Sequence, residues 1–202
     1  LPTPYLNNTE EYYGSSVDVE NEFAVVGAIG YNVEQGCAYV LQKIDTIWKN
    51  IARLTASDGA GYDRFGVSVS ISGDVIIVGA YQDDDNGKNS GSAYVFEKPP
   101  GGWADMSETA KLAASEGSRW DYFGFAVSIS GNTIVIGAYG DYYNSLRTGT
   151  AYIFEKPENG WQDMTQTAQL FPSDGIGGGF FGYAVSNTEN AIAISAYQDD
   201  DN

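Results

Sequence analysis

The sequence predicts an all-β protein built from four copies of one unit, because four segments repeat the same pattern in register. The segments begin at positions 13, 65, 123 and 181, and each opens with an aromatic residue followed by glycine. Gly66, Gly124 and Gly182 are 58 residues apart, and Gly14 precedes Gly66 by 52. A fixed spacing of this length indicates a repeat architecture in which each unit buries its apolar face against its neighbour.

The first two strands of the unit follow from its hydropathy pattern. In the second copy, residues 67–72 alternate β-branched and serine side chains, and this period of two predicts a strand, strand A. A turn at Ser72-Gly73-Asp74 leads into the apolar run 75–80, which predicts a strand buried on both faces, strand B. The apolar run recurs at 133–138 and 191–196.

Two further strands complete the unit. Residues 91–97 and 149–155 predict strand C, and a Lys-Pro pair follows each because proline ends the hydrogen-bonded ladder. Strand D is predicted to run from Trp103 to Leu112 and from Trp161 to Leu170. The first copy has a shorter version, from Trp48 to Leu54.

Four antiparallel strands per unit at this period predict a β-propeller, in which four-stranded sheets pack face to face. We predict one domain over 1–202, with repeats at approximately 7–54, 55–112, 113–170 and 171–202, the last of them incomplete. No segment has a sustained helical stripe. The Ala-, Glu- and Lys-rich residues 106–114 have helix propensity, but their place in the repeat assigns them to strand D.

Three short motifs recur in the unit: the Phe-Gly pair, a Val-Gly-Ala or Ile-Gly-Ala triplet and a closing Gly-x-Ala-Tyr. These motifs resemble the FG-GAP repeats of integrin alpha chains and of many secreted bacterial proteins. Ser195 replaces the triplet glycine in the last copy. The proline that follows the triplet in the family is replaced at Ile29, Tyr81, Tyr139 and Tyr197. These departures favour the bacterial type, and the resemblance implies an extracellular propeller with calcium-binding loops.

The charge composition narrows the function. The net charge is −17 and the chain contains no histidine. Binding to nucleic acid or to an anionic membrane surface requires clustered Lys and Arg, so we expect neither. No apolar run has the length of a membrane span, so we expect no membrane insertion. Two interpretations of the acidity remain, a solvated surface kept soluble by repulsion and a set of carboxylates for hard cations.

The loop between strands B and C is the predicted calcium site. It contains Asp83-Asp84-Asp85-Asn86-Gly87-Lys88-Asn89 in the second copy and ends the chain as Asp199-Asp200-Asp201-Asn202 in the fourth. Calcium takes about six to eight oxygen ligands, and this loop offers carboxylate, amide and carbonyl oxygens on alternate residues. The predicted ligands are Asp83, Asp85, Asn89, Asp141, Asp199 and Asp201.

The other two loops offer fewer ligands. In the third copy Tyr143 replaces Asp85, which leaves Asp141 with Asn144 as a weaker helper. The first loop is three residues shorter and holds only Asn32 and Glu34. The alternative interpretation of all these loops is a solvated acidic turn that holds no metal.

A second group of acids precedes strand A. Asp63 and Asp121 lie two residues before the Phe-Gly pair, where carboxylates cap backbone amides. The alternative is a role as more distant calcium ligands. The related acidic residues are Asp58, Glu116 and Asp174.

Most aromatic residues recur in register, and we predict that these lie in the core: Phe65, Phe123, Phe181, Tyr94, Tyr152, Trp103 and Trp161. Four others lie in loops and are candidates for glycan or protein contact: Tyr142, Tyr143, Trp120 and Phe180. Cys37 aligns with Ser92 and Thr150, so we predict a packed small side chain rather than a reactive thiol.

The sequence lacks the parts of a catalytic site, since it has no histidine base, nucleophile elbow or phosphate-binding loop. We therefore expect a non-enzymatic extracellular protein, stiffened by calcium, that acts as a structural scaffold. The chain stops inside the acidic loop after an apolar strand B, so we expect either head-to-tail self-association, with residues 1–6 as a strand donor, or an excerpt of a larger propeller. A self-contained four-bladed monomer is the third alternative. A glycan- or protein-binding module is the alternative function. Asn7-Asn8-Thr9 is a glycosylation sequon.

Overall fold

The computed structural model describes residues 11–143, 145–173 and 178–198, and within them the protein is almost entirely β. The one helical element among the described residues is a four-residue turn, Tyr31–Glu34, in which three residues have positive φ. The strands, in chain order, are β1 Tyr13–Glu20, β2 Phe23–Ala28, β3 Cys37–Ile44, β4 Ile47–Thr55, β5 Ser68–Ser72, β6 Val75–Ala80, β7 Ser92–Glu97, β8 Met106–Ser107, β9 Ala110–Ala113, β10 Ala126–Ser130, β11 Thr133–Ala138, β12 Tyr142–Tyr143, β13 Leu146–Arg147, β14 Thr150–Glu155, β15 Met164–Thr165, β16 Ala168–Leu170, β17 Phe181–Thr188 and β18 Ala191–Ala196.

These strands form the repeated four-stranded sheets that the sequence predicts. The orders β1-β2-β3-β4, β5-β6-β7-β9 and β10-β11-β14-β16 each place strands A to D side by side, and all of these pairings are antiparallel. The fourth repeat contributes β17 and β18 as a two-stranded sheet. The predicted bounds of strand B match β6, β11 and β18. The prediction of an all-β propeller fold is confirmed.

Strand D differs from its prediction in the second and third repeats. Trp103 and Trp161 do not begin it; the segment after each tryptophan contributes β8 or β15, and strand D proper is the shorter β9 or β16. β8 pairs in parallel with β4 of the preceding sheet, and β15 pairs in the same way with β9. The second and third repeats therefore each add one short strand to the edge of the preceding sheet. The side chains of Asp105 and Asp163 strengthen this contact, because each accepts a 2.8 Å hydrogen bond from a backbone amide in the preceding strand D.

Apolar side chains fill the space between neighbouring sheets. One buried cluster joins the first and second sheets, and its members include Val25, Leu54, Phe65, Ile76 and Tyr94. A second joins the second and third sheets, with Ile77, Leu112, Phe123, Ile134 and Phe154 among its members. Strand B contributes to both clusters, since alternate side chains of one strand point to opposite faces. This explains why its sequence is a continuous apolar run.

The core aromatics lie where the repeat register predicts, with one exception. Phe65, Phe123, Tyr94, Tyr152, Trp103 and Trp161 are buried, whereas Phe181 in the fourth sheet is half-buried. Cys37 is buried as predicted, in the strand position that Ser92 and Thr150 occupy in the next two sheets. Burial raises the pKa of the Cys37 thiol to about 12, so the thiol is protonated at neutral pH.

Candidate cation-binding loop

Asp83 is the buried centre of the second B–C loop. Strand β6 ends at Ala80, and the chain then turns so that the Asp83 side chain lies beside β7, with the residue only 3% exposed. Its Oδ1 accepts hydrogen bonds from the Asp85 amide at 3.1 Å and the Ser92 hydroxyl at 3.0 Å. Its Oδ2 accepts one from the Tyr94 hydroxyl at 3.0 Å. A buried carboxylate needs partners of this kind, because burial without them is costly.

Two more carboxylates surround the same point. Carboxylate oxygens of Asp58, Asp83 and Asp85 lie within 4.8 Å of one another, a group of acids that could hold a metal ion. The ammonium of Lys111, from strand β9, lies among them. Its Nζ is 2.6 Å from Asp58 Oδ2, 2.6 Å from Asp85 Oδ2 and 3.3 Å from Asp83 Oδ2. We call these four residues the Lys111 cluster.

The electrostatics of the cluster fix its protonation. Burial disfavours the charged form of Lys111, but hydrogen bonds to Asp58 and Asp85 outweigh this effect and hold the pKa of the ammonium above its usual value. Burial raises the pKa of the Asp58 carboxyl, but the hydrogen bond and charge of Lys111 overcome this, so the net shift of that pKa is downward. Burial and the charge of Asp83 raise the pKa of the Tyr94 hydroxyl, which stays a neutral donor. The charged Lys111 ammonium thus faces an ionised Asp58 carboxylate and the neutral Tyr94 hydroxyl.

The position of Lys111 recurs in each complete sheet. It pairs across the strands with Tyr94, and the same pairing joins Arg53 to Tyr39 in the first sheet and Gln169 to Tyr152 in the third. Asp141 in the third repeat accepts a hydrogen bond from the Tyr152 hydroxyl, as Asp83 does from Tyr94. The third repeat therefore has the aspartate and the tyrosine of the cluster, with a neutral amide in place of the ammonium.

The sequence comparison agrees with this repeated construction. The FG-GAP repeat family model matches residues 48–96, 106–154 and 164–202, which is more than half of the chain.

The chain belongs to the FG-GAP repeat family.

The three matched segments of this FG-GAP protein begin in β4, β8 and β15, and each continues into a later sheet. A search of curated proteins found no match. Among the described residues, the structure has no helix with the length and hydropathy needed to cross a membrane.

The six predicted calcium ligands fall into four groups. Asp83 and Asp85 lie together in the Lys111 cluster. Asn89 has positive φ, and its backbone amide donates to Asp84 at 2.6 Å. Asp141 is bound to Tyr152. Asp199 and Asp201 lie outside the described residues, as do Asn144, Asp174, the predicted strand donor 1–6 and the sequon at Asn7.

The second loop has the type of ligand that calcium prefers, but the space among these ligands is already filled. Three carboxylates supply the oxygen ligands that calcium prefers. The Lys111 ammonium, however, occupies the space among them, and both oxygens of Asp83 already accept hydrogen bonds. With Lys111 in place, these residues leave no room for an ion that needs about six to eight oxygens.

Two site residues were misjudged or missed from the sequence. Asp58 was expected to cap the chain or to act as a distant ligand, and it is a direct member of the cluster. Lys111 was missed because it lies in strand D, 26 positions after Asp85 in the sequence. The signal that identifies it is the 58-residue spacing of Arg53, Lys111 and Gln169, which places three different polar residues at one repeat position.

Asp63 and Asp121 cap backbone amides, as predicted, and in each case the amide lies three residues earlier in the chain. Asp63 accepts from Ala60 and Asp121 from Ser118, each at 2.6 Å. Burial and the charge of Asp141 raise the pKa of Asp121 to about 7. Burial, together with the charges of nearby aspartates, raises the pKa of Asp63 to about 6. Both carboxyls hold their protons more tightly than a solvated aspartate does.

The four loop aromatics have different surroundings. Tyr142 is 59% exposed, and Tyr143 stacks on Phe171 at 4.1 Å between ring centroids. Trp120 is half-buried and lies under the Lys88 ammonium. Phe180 is half-buried and packs against Tyr139. Tyr143, Trp120 and Phe180 therefore each pack on a different group, and glycan contact by the four loop aromatics stays a prediction.

Proposed function

We propose that this protein is a non-enzymatic extracellular scaffold that associates head to tail with a second copy of itself. The observation that carries the proposal is a difference in exposure at one position of the repeat. In the first sheet Val17 is 67% exposed and Val19 is 58% exposed. The residues at the same positions of the next two sheets are buried against the preceding sheet, at 5–8% exposure: Val69, Ile71, Val127 and Ile129.

The fourth sheet is open on its other side. Ala191 and Ala193 are exposed, whereas their counterparts in the second sheet, Val75 and Ile77, are buried against the third sheet. Tyr197 is 63% exposed. Within the chain, faces of this kind are covered by the next repeat. A further repeat of the same construction is thus the partner whose shape suits both faces, and a second copy supplies one. One donor face and one acceptor face per molecule make a heterologous contact, which extends into a chain of molecules unless it closes a ring.

A recurring aromatic contact gives this joint a register. Tyr122 packs on Tyr81 of the preceding repeat, with 5.7 Å between ring centroids, and Phe180 packs in the same way on Tyr139 at 5.9 Å. Tyr12 occupies the position of Tyr122 and Phe180, and all three have positive φ. Tyr197 occupies the position of Tyr81 and Tyr139. Tyr12 and Tyr197 are each 63% exposed, so Tyr197 of one copy would receive Tyr12 of the next.

Ser195 makes this joint looser than the joints inside the chain. The corresponding glycines, Gly27, Gly79 and Gly137, leave space for a carbonyl oxygen of the following repeat, which would lie 1.9 Å from a Cβ atom at each position. The Cβ of Ser195 keeps a following repeat at a greater distance. A weaker contact of this kind suits reversible association between separate molecules.

The remaining parts of the proposal rest on family and composition. FG-GAP repeats are typical of extracellular and surface proteins, which supports an extracellular location. A non-enzymatic role is supported by the absence of histidine from the sequence and by the burial of its single cysteine thiol.

We propose further that calcium stiffens the loops of the third and fourth repeats. In the third repeat, Asp141 lies near the charge of Asp121, and the position of Lys111 is taken by the uncharged Gln169. Calcium would balance this negative charge. Chelation is then expected to lower the melting temperature, since a ligand that binds only the folded state stabilises it. Asp141→Asn should reduce this response and Glu34→Gln, in the first loop, should not; an unchanged melting curve on chelation would remove calcium from the account.

Sedimentation velocity over a range of protein concentrations tests the association. The wild-type chain should form a concentration-dependent series of oligomers, and Val17→Asp with Val19→Asp should shift it to monomers because the charges prevent burial of that face. Val33→Asp is the matched control, since Val33 is also exposed, at 66%, but lies in the first B–C loop. Monomeric wild type at every concentration would contradict the proposal and would leave glycan or protein binding as the function to test.

A further inference from the structure

The structure assigns Lys111 as the resident cation of the second repeat: its ammonium takes the place of calcium, so this loop is held together without metal. The inference goes beyond the proposed function, because that proposal concerns association between copies and calcium in the third and fourth repeats, whereas this one concerns the second. It rests on the Lys111 cluster and on a comparison of that cluster with the equivalent positions of the other two complete sheets.

The ammonium is well placed for this role. Nζ lies within 3.3 Å of an oxygen of each of three carboxylates, which come from two segments of the chain: Asp58 from the segment before strand A, and Asp83 and Asp85 from the B–C loop. The Lys111 side chain is only 17% exposed, and its Nζ lies 5.1 Å from the Tyr94 ring centroid. A cation that joins these two segments at short range does what a bound metal ion would do, since both segments are tied to the same charge.

The backbone of β9 holds the lysine in place. Lys111 pairs with Tyr94, and its backbone amide donates to Asp163 of the following repeat. The ammonium is thus delivered by a strand that is hydrogen-bonded on both sides. Because the cation is attached to the chain, it does not dissociate when free calcium falls, and a metal ion would have to displace it.

The other sheets show that this position varies in charge. Arg53 in the first sheet donates to the hydroxyl of Tyr31 at 3.0 Å, in a loop that lacks the counterpart of Asp83. Gln169 in the third sheet is neutral. The side chain that pairs with the tyrosine of strand C therefore decides, in each repeat, whether the chain supplies its own cation beside the B–C loop. In the second repeat this side chain is Lys111, and its ammonium lies among three carboxylates.

The test exchanges Lys111 for the residues found at the same position elsewhere in this chain. In chelator, Lys111→Gln should lower the melting temperature by on the order of 5 °C, because three carboxylates then lie together without a cation. Lys111→Arg should stay close to wild type. Lys49→Gln removes the same charge from an exposed position and is the matched control.

Calcium titration by calorimetry then distinguishes this inference from the proposed calcium sites elsewhere. Lys111→Gln should bind one more calcium ion per chain than wild type, and calcium should restore its melting temperature. Wild type that binds no calcium, with a gain of one ion in Lys111→Gln, would support the inference while removing calcium from the third and fourth loops. Equal stoichiometry in the two proteins, or a Lys111→Gln variant as stable as wild type in chelator, would overturn the inference.

Discussion

A Cβ atom at Gly79 would lie 1.9 Å from the carbonyl oxygen of Gly124 in the following repeat. These two glycines belong to the two motifs that define the unit, since Gly79 is the centre of a Val-Gly-Ala triplet and Gly124 follows Phe123. The same contact joins Gly27 to Gly66 and Gly137 to Gly182. The motifs therefore mark the place where neighbouring sheets approach most closely, and glycine is required because any side chain would force the sheets apart.

Gly79→Ala tests this explanation of the motif. The added methyl group meets backbone rather than a movable side chain, so we expect a loss of about 2–3 kcal/mol in the free energy of unfolding, measured by urea denaturation. Gly101→Ala is the control, because no heavy atom of the described chain beyond its immediate neighbours lies within 4 Å of a Cβ there. Equal losses in the two variants would contradict the proposed contact between repeats.

The sequence predicts the fold well because its signals are local and repeated. The apolar runs of strand B, the alternation in strand A and the glycines of the motifs all report burial in one sheet or between two neighbours. The error in strand D has a non-local cause. Met106 and Met164 join the edge of the preceding sheet, and that pairing depends on how two repeats pack rather than on the residues of one segment.

The candidate site was predicted only in part for the same reason. Asp83 and Asp85 are two residues apart, so their proximity is visible in the sequence. Lys111 approaches them across strands β7 and β9, and Asp58 approaches from the segment before strand A. These charges meet because of the register between neighbouring strands. The repeat spacing alone does not show which side chains that register brings together.

The raised pKa of Asp121 predicts a dependence of stability on pH. Burial and the charge of Asp141 raise this pKa from 3.8 to about 7. Because the folded-state pKa is the higher one, the stabilisation is complete below about pH 4 and is lost as the pH rises to about 7. In chelator, wild type should therefore lose about 3 kcal/mol more than Asp121→Asn between pH 4 and pH 7.

Urea denaturation at a series of pH values measures this difference. Asp45→Asn, at an exposed turn between β3 and β4, controls for the change in net charge. Parallel pH profiles for wild type and Asp121→Asn would show that the carboxyl of Asp121 is not perturbed by folding, and would contradict the prediction.

Ser195→Gly should strengthen association between copies. Removing the side chain lets a following repeat approach as closely as neighbours do inside the chain, so the dissociation constant measured by sedimentation should fall by about tenfold, which corresponds to about 1.4 kcal/mol. Ser107→Gly makes the same change at an exposed position of β8 in the second repeat, away from the fourth sheet, and is the control. A dissociation constant that is unchanged or raised by Ser195→Gly would show that the fourth sheet is not the acceptor face.

The most direct test of the account is chemical cross-linking of Tyr12→Cys with Tyr197→Cys in one chain, using a short bismaleimide. Cys37 is fully buried and should stay unreacted. Tyr81→Cys with Tyr122→Cys, at the corresponding joint inside the chain, should give only intramolecular links. Head-to-tail association predicts a ladder of covalent oligomers from the Tyr12→Cys, Tyr197→Cys chain, and none from either single variant beyond a dimer. A double variant that stays monomeric under the same conditions would contradict head-to-tail association.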